Sequence, residues 1–288
     1  MLRSKLFYIS FLADYFILRA TTYKSIIEND DLAEVILSKS PNGLNKENYI
    51  KSLKASLRQN YFHSIETLFE IMFAIEMGLD KKSDPAQDEL IQYHLTHSSK
   101  KNLKRIEPLG KEENTAPNFL DREYIFVIDG EQKTFPLLQY LFYYIISPID
   151  SGANNTTDEE LQESLSAIRL SIQHLAKDFT DRTEYNSYKH GFRLMPIFGD
   201  DDTMMFMTPT PDNVLEFTTR VFDVERDYKM TRLVSDLIQA IIHARKSYYF
   251  KDIKPNPAFF KLDEVRDYVA SRIKSSEAKV TLTFEKPR

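Results

Sequence analysis

Apolar residues recur at helical spacing over most of the chain. From Glu47 to Met77 the positions Leu53, Leu57, Tyr61, Ile65, Leu68, Met72 and Ile75 lie three or four residues apart, which sets them along one side of a long helix. Gly78 supplies its stop, because glycine takes the left-handed conformation past a helix end. The same period returns from Glu159 to Thr180, through Leu161, Leu165, Ile168, Ile172 and Leu175. It returns again from Val224 to Tyr249, through Leu233, Leu237, Ile241 and Tyr248, before Pro255 and Pro257. Shorter helices are predicted over Pro136 to Ile146 and Leu262 to Lys274, and over Glu89 to Lys104, where basic residues gather at the favourable end of the helix dipole. Leu6 to Ile27 is apolar nearly all round, the mark of a helix buried among several neighbours. Asp30 and Asp31 then open a short helix that stops before Pro41-Asn42-Gly43.

Elsewhere the period changes to two. Tyr124 to Ile128 and Gln132 to Phe135 flank Asp129-Gly130, a pair that supplies the positive dihedrals of a two-residue hairpin turn. After Gly191, three short strands are predicted at Leu194 to Phe198, Met204 to Thr208 and Val214 to Phe222, and Lys279 to Phe284 alternates like an edge strand. Loops fill 80–88, 108–117 and 147–158, and there is no internal repeat. The pattern predicts a mainly α fold, a helical bundle with a small antiparallel β-meander, built as one compact domain over 1–288 with the meander inserted at 193–223.

Composition narrows the function classes. The 288 residues are 42% hydrophobic and 28% charged, with a formal net charge of -5, so no global field attracts nucleic acid or a membrane and an anion site must be local. The absence of cysteine excludes disulfides, thiol nucleophiles and Cys-ligated metal. Neither familiar Gly-rich phosphate loop occurs. Sixteen Tyr and twenty Phe without a Trp foretell an aromatic core. Arg3 and Lys5 precede the apolar run Leu6 to Leu18, but Asp14 interrupts it, it is too short to span a bilayer, and no small-residue cleavage pattern follows. A buried first helix in a cytoplasmic protein is the expectation, with no cofactor and no metal.

Two stretches gather groups suited to chemistry. Arg182 to Arg193 reads Arg-Thr-Glu-Tyr-Asn-Ser-Tyr-Lys-His-Gly-Phe-Arg, and on a helix Arg182, Asn186 and His190 share one side while Tyr185, Tyr188 and Phe192 share another. Arg182, Asn186, Lys189 and Arg193 suit an anionic ligand, and His190, with its pKa near neutrality, suits proton transfer. Lys189, His190 and Gly191 also satisfy a plain helix C-cap, so both readings stand. The second stretch is Arg58-Gln59-Asn60-Tyr61-Phe62-His63. Five positions put Arg58 and His63 about 140° apart on an ideal helix, so they meet only if the helix starts or kinks between them. Read straight, His63 shares a face with Glu66 and Glu70, a conceivable metal set without the matching Glu-x-x-His of a di-metal bundle. The basic run His97 to Arg105 reads as a solvated face that could touch phosphate, and Asp200-Asp201-Asp202 as a turn that could hold a cation.

A helical bundle with an Arg followed after four to six residues by a His resembles the HEPN superfamily (higher eukaryote and prokaryote nucleotide-binding domains). Arg58 to His63 carries that resemblance, and Asn186, Lys189 and His190 resemble sequences in bacterial HEPN-like proteins. The resemblance implies an up-and-down bundle, commonly a homodimer, whose active members are metal-independent endoribonucleases of defence or toxin systems. In them His acts on the 2′-hydroxyl proton or the leaving group and Arg on the phosphate, which would give Arg58, His63 and His190 catalytic roles and RNA as substrate. Other members bind a nucleotide or a protein partner without catalysis, and the residues leave both alternatives open.

Overall fold

A computed structural model describes residues 2–40, 45–80, 91, 99–111, 118–128, 131–143, 158–180, 194–196, 203–209, 215–250, 252–253, 257–273 and 275–278. The fold is mainly α with small antiparallel sheets. In chain order come α1 (Leu2–Ser10), α2 (Tyr15–Ile27), α3 (Asp30–Ser38), α4 (Lys46–Asp80) and α5 (Ser99–Ile106). The hairpin β1 (Glu123–Ile128) and β2 (Glu131–Pro136) leads into α6 (Leu137–Tyr143) and then α7 (Asp158–Thr180). The strands β3 (Leu194–Pro196), β4 (Thr203–Pro209) and β5 (Leu215–Val221) precede α8 (Val224–Tyr249), α9 (Leu262–Ala270) and β6 (Ser275–Ala278).

The long helices fall where the apolar period sets them, and α8 matches its expected bounds at both ends, but Gly78 does not stop α4, which runs through it to Asp80 because a glycine inside a helix costs only about 1 kcal/mol. Leu6 to Ile27 is corrected from one helix to two. A turn at 11–14 separates α1 from α2, and it resets the phase between buried Tyr8 and buried Phe16, which a straight helix would leave about 80° apart. Ile128 pairs with Glu131, leaving two residues for the hairpin turn as the sequence predicts. Pro136 closes β2 opposite Glu123 and does not open the helix, since α6 starts one residue later with the Leu137 N–H donating to the Arg122 carbonyl at 2.8 Å. The meander is antiparallel and gains a fourth strand, in the order β3-β4-β5-β6. That last strand lies at Ser275–Ala278, beyond α9, which stops at Ala270 short of the expected Lys274, while the edge strand expected at 279–284 lies outside the described residues. Residues 108–110, expected as loop, belong to a 3₁₀ turn at Glu107–Gly110. There a Cβ on Gly110 would lie 2.9 Å from the Lys177 backbone, so the turn meets α7 only because the side chain is a hydrogen.

Two compact units emerge, one of Met1–Tyr15, Ser64–Thr180 and Leu233–Ala270, the other of Phe16–His63, Asp181–Arg232 and Ser271–Arg288. The first buries Leu68, Met72, Leu141, Ile168, Ile172 and Leu237. In the second, Ile26, Ala33 and Leu53 form a cluster lined by Tyr23, Ile36, Tyr49 and Ile50. Burial on α4 exceeds its apolar stripe and takes in Arg58, Asn60, Ser64 and Glu76, polar groups that need internal partners once water is gone. Among the described residues no helix is long and apolar enough to cross a membrane.

Candidate functional site

Arg58 follows Leu57 on the buried side of α4, and none of its surface reaches solvent. A guanidinium in that position keeps its charge and must find acceptors inside the protein. Its Nε donates to Asp227 Oδ2 at 2.6 Å and its Nη2 to the Val221 carbonyl at 3.3 Å, while the guanidinium lies 5.8 Å from the Phe222 ring centroid. Asp227 stands in the first turn of α8 with 1% of its side chain exposed, and it accepts a second guanidinium through Arg226 Nη1 at 3.3 Å. Arg226 in turn donates from Nε to the Ser271 carbonyl at 3.0 Å and sits 5.4 Å from the Tyr61 ring. The Asp223 carboxylate fixes the start of α8 by accepting the Arg226 N–H at 2.9 Å. One carboxylate thus holds two buried arginines, tying the middle of α4 to the end of β5, the start of α8 and the residue after α9.

The geometry separates the two halves of the Arg-to-His motif. Helix α4 is continuous from Lys46 to Asp80, so the rotation of about 140° between positions 58 and 63 is kept. Arg58 faces Asp227, whereas His63 is half-buried together with Glu66 and Glu70 on the less buried side of the helix. That shared side does not become a metal site: no three His, Asp or Glu side chains come together to hold an ion among the described residues. Of the remaining candidates, Arg182, Asn186, Lys189, His190 and Arg193 lie outside the described residues, as do His97 and Asp200 to Asp202.

The basic run divides. Lys104 is exposed, but Arg105 folds inward, pairs with the buried Glu76 carboxylate, and places its guanidinium 3.9 Å from the Phe73 ring and 5.4 Å from that of Phe119. Glu76 also accepts from Arg122 Nη1 at 3.3 Å. Of the two cations of the run whose side chains are described, one is thus exposed and the other half-buried against Glu76, which the i, i+1 placement of Lys104 and Arg105 on α5 permits, since neighbours on a helix point apart.

Three polar constellations carry no sequence motif. Asp227 looks like an ordinary acidic residue of a helix first turn. Arg245 is buried in α8 with its Nη1 on the Tyr140 hydroxyl and its guanidinium 4.9, 4.8 and 5.5 Å from the rings of Tyr140, Tyr248 and Tyr249. Tyr143 donates to the Ala258 carbonyl at 2.8 Å, and Ser164 Oγ, 2.6 Å from the phenol oxygen, accepts the Phe260 N–H at 2.7 Å. Burial pushes the Tyr143 phenol up to about 12 from its usual 10, against the opposing pull of the Ser164 hydrogen bond. The only available signal for each was a polar residue on an otherwise apolar helix face. Set against models of known families, curated proteins and solved structures, the chain matches none.

Proposed function

We propose that the chain is a non-catalytic helical module that binds a protein partner or a nucleotide through the polar residues of the 182–193 stretch. The burial of Arg58 carries this reading. A ribonuclease of the HEPN type needs that arginine to reach a scissile phosphate, and here the guanidinium is removed from solvent, saturated on Nε by Asp227 and turned away from His63. Freeing Arg58 would break its buried pair with Asp227 and leave that carboxylate on Arg226 alone, a cost of several kcal/mol that substrate binding would have to supply. A structural arginine within a bundle leaves Asn186, Lys189, His190 and Arg193 as the groups suited to an anionic ligand.

One experiment separates binding from cleavage. Wild type, His63→Ala and His190→Ala are incubated with labelled RNA without added metal, and the same proteins are titrated with nucleotides by calorimetry. The expected result is intact RNA in every lane and nucleotide affinity that falls by about tenfold or more in His190→Ala, the size of one lost charge-assisted contact. RNA cut by the wild type and spared by either His variant would return the chain to the metal-independent ribonuclease reading.

A further inference from the structure

Within the first unit, residues 257–262 meet α6 and α7 and are held there mainly through their backbone. The Ala258 carbonyl accepts from the Tyr143 hydroxyl at 2.8 Å, the Phe260 N–H donates to Ser164 Oγ at 2.7 Å, and the Leu262 N–H donates to the Glu163 carboxylate at 3.3 Å. One ring adds to these bonds: Phe259 stacks on Tyr143 with 5.4 Å between centroids and 14° between planes. The two sides of the contact differ in burial. Tyr143 and Ser164 are 2% and 0% exposed, whereas Ala258, Phe259 and Lys261 are exposed and, from Pro257 to the end of α9, only Val265 is buried. A segment with so little apolar burial of its own belongs to the low end of local stability, and its departure would uncover two hydroxyls and a ring face.

The contact reads a backbone more than a sequence. In an extended chain a carbonyl and the N–H two residues on leave the same edge, so Tyr143 and Ser164 can bond any segment that presents that pair. The two hydroxyl oxygens are 2.6 Å apart, and with the phenol proton on Ala258 the serine proton goes to the phenol. The pair is thereby fixed as one donor followed by one acceptor, which sets the direction of the bound chain. Selectivity falls to the Tyr143 ring, which takes an aromatic side chain at the position between the two bonds. We propose that 257–262 is the displaceable occupant of a peptide-binding groove, and that the groove takes from a protein partner an extended segment with an aromatic residue between a free carbonyl and a free N–H. The resident strap sets the threshold, since a competing segment binds only the fraction of molecules in which the strap is out. This proposal does not rest on the 182–193 stretch.

Hydrogen exchange of the full chain and its titration into a fluorescein-labelled peptide reproducing residues 257–265 test it together. The Phe260, Leu262 and Val265 amides are expected to share one protection, about a hundredfold or more below that of Ile168 and Ile172 in α7. Phe259→Ala in the chain is expected to tighten the peptide by about tenfold, because it weakens only the strap. The same substitution in the peptide is expected to loosen it by about tenfold, because it weakens only the competitor. Opposite effects of one substitution arise only when the two segments compete for one groove. Far-UV circular dichroism shows whether the Phe259→Ala chain folds, and if it does not, the substituted peptide and the exchange of the wild type decide. A peptide that binds neither the wild type nor the Phe259→Ala chain overturns the proposal, as does a chain substitution that leaves the affinity unchanged or lowers it. So does a substituted peptide that binds as tightly as the original, or protection of Phe260, Leu262 and Val265 equal to that of α7.

Discussion

Arg58 in one unit and Arg245 in the other, both fully buried, are accommodated in different ways. Arg58 meets a carboxylate: Asp227 lies 2.6 Å from its Nε and also takes Arg226. Arg245 lies among aromatic faces, with the Tyr140 hydroxyl on its Nη1 and the rings of Tyr140, Tyr248 and Tyr249 within 5.5 Å. The planar, weakly hydrated guanidinium permits both arrangements, where an ammonium would suit neither so well. Their consequences differ. An ion pair in a dry interior depends on every member, since loss of one leaves the others charged and unsatisfied. A ring cage is made of many weak, partly redundant attractions to the negative faces of neutral groups. The cage also extends outwards, with Tyr140 stacked on Phe126 at 4.5 Å and Tyr249 on Tyr8 at 5.5 Å, so Arg245 caps two aromatic stacks that would hold much of their packing without it.

The largest effect is therefore expected at Asp227. Asp227→Ala leaves two buried guanidiniums without their shared carboxylate and is expected to cost ~3–5 kcal/mol, read as a fall in the urea midpoint at unchanged slope. Arg58→Ala added to it is expected to cost much less than Arg58→Ala alone, because the two residues act through one contact. A loss under about 1 kcal/mol for Asp227→Ala would mean that water or rearrangement rescues the arginines, and the distinction between the two sites would collapse.

Arg245→Met comes next. It keeps a long apolar stem, removes the cation and leaves behind three neutral tyrosine rings, so ~1–3 kcal/mol is expected from lost cation–π attraction and the hydrogen bond to Tyr140. Tyr140→Phe then tells ring from hydroxyl: about 1 kcal/mol if only the hydrogen bond is lost while the stack on Phe126 persists. A cost for Arg245→Met equal to that of Asp227→Ala would show that charge compensation, and not the rings, dominates at both arginines.

How far these sites could be read from sequence follows from how local their causes are. The period of Leu233, Leu237 and Ile241 is a local property, and α8 begins and ends where that period predicts. The long run at α4 is legible for the same reason, and so are the two-residue hairpin turn and the antiparallel meander. Leu6 to Ile27 has apolar residues on all sides, so its period contains no phase from which the break at 11–14 could be inferred. The interleaving of the two units is equally silent, since α4 and α8 contribute residues to both and no linker composition marks a boundary. Arg58 could be singled out, but not its partner: Asp227 is 169 residues away and one of 43 acidic residues, so pairing was fixed by tertiary structure. Arg245 met the same obstacle, its Tyr140 contact spanning 105 residues. The Arg-to-His spacing was visible as a pattern, yet whether its members converge depended on α4 remaining helical through both.

The smallest effect at neutral pH sharpens what a buried tyrosine contributes when no cation shares it. Tyr143 differs from the tyrosines around Arg245: its hydroxyl, and not only its ring, fastens the segment at 258–260, with Ser164 passing a proton donor to the phenol and the phenol donating to the Ala258 carbonyl. Tyr143→Phe keeps the stack on Phe259, 5.4 Å between centroids, and is expected to cost about 1 kcal/mol at pH 7. Alkaline pH gives the decisive reading. The folded phenol, pushed up to about 12, stays protonated through the range in which an unfolded one near 10 ionises. Between those values the unfolded state binds fewer protons than the folded state, so stability falls as pH rises, by on the order of 2–3 kcal/mol across the window. Below pH 10 the contribution is fully present, and above 12 it is gone. Urea denaturation of wild type and Tyr143→Phe at pH 9, 10, 11 and 12 isolates it from the other tyrosines: the advantage of the wild type is expected to shrink over that series and to vanish or reverse at its end. A difference between the two proteins that does not change with pH would mean that the phenolate is accommodated in the fold, and that the hydroxyl of Tyr143 is not confined to the hydrogen-bonded arrangement with Ser164 and Ala258.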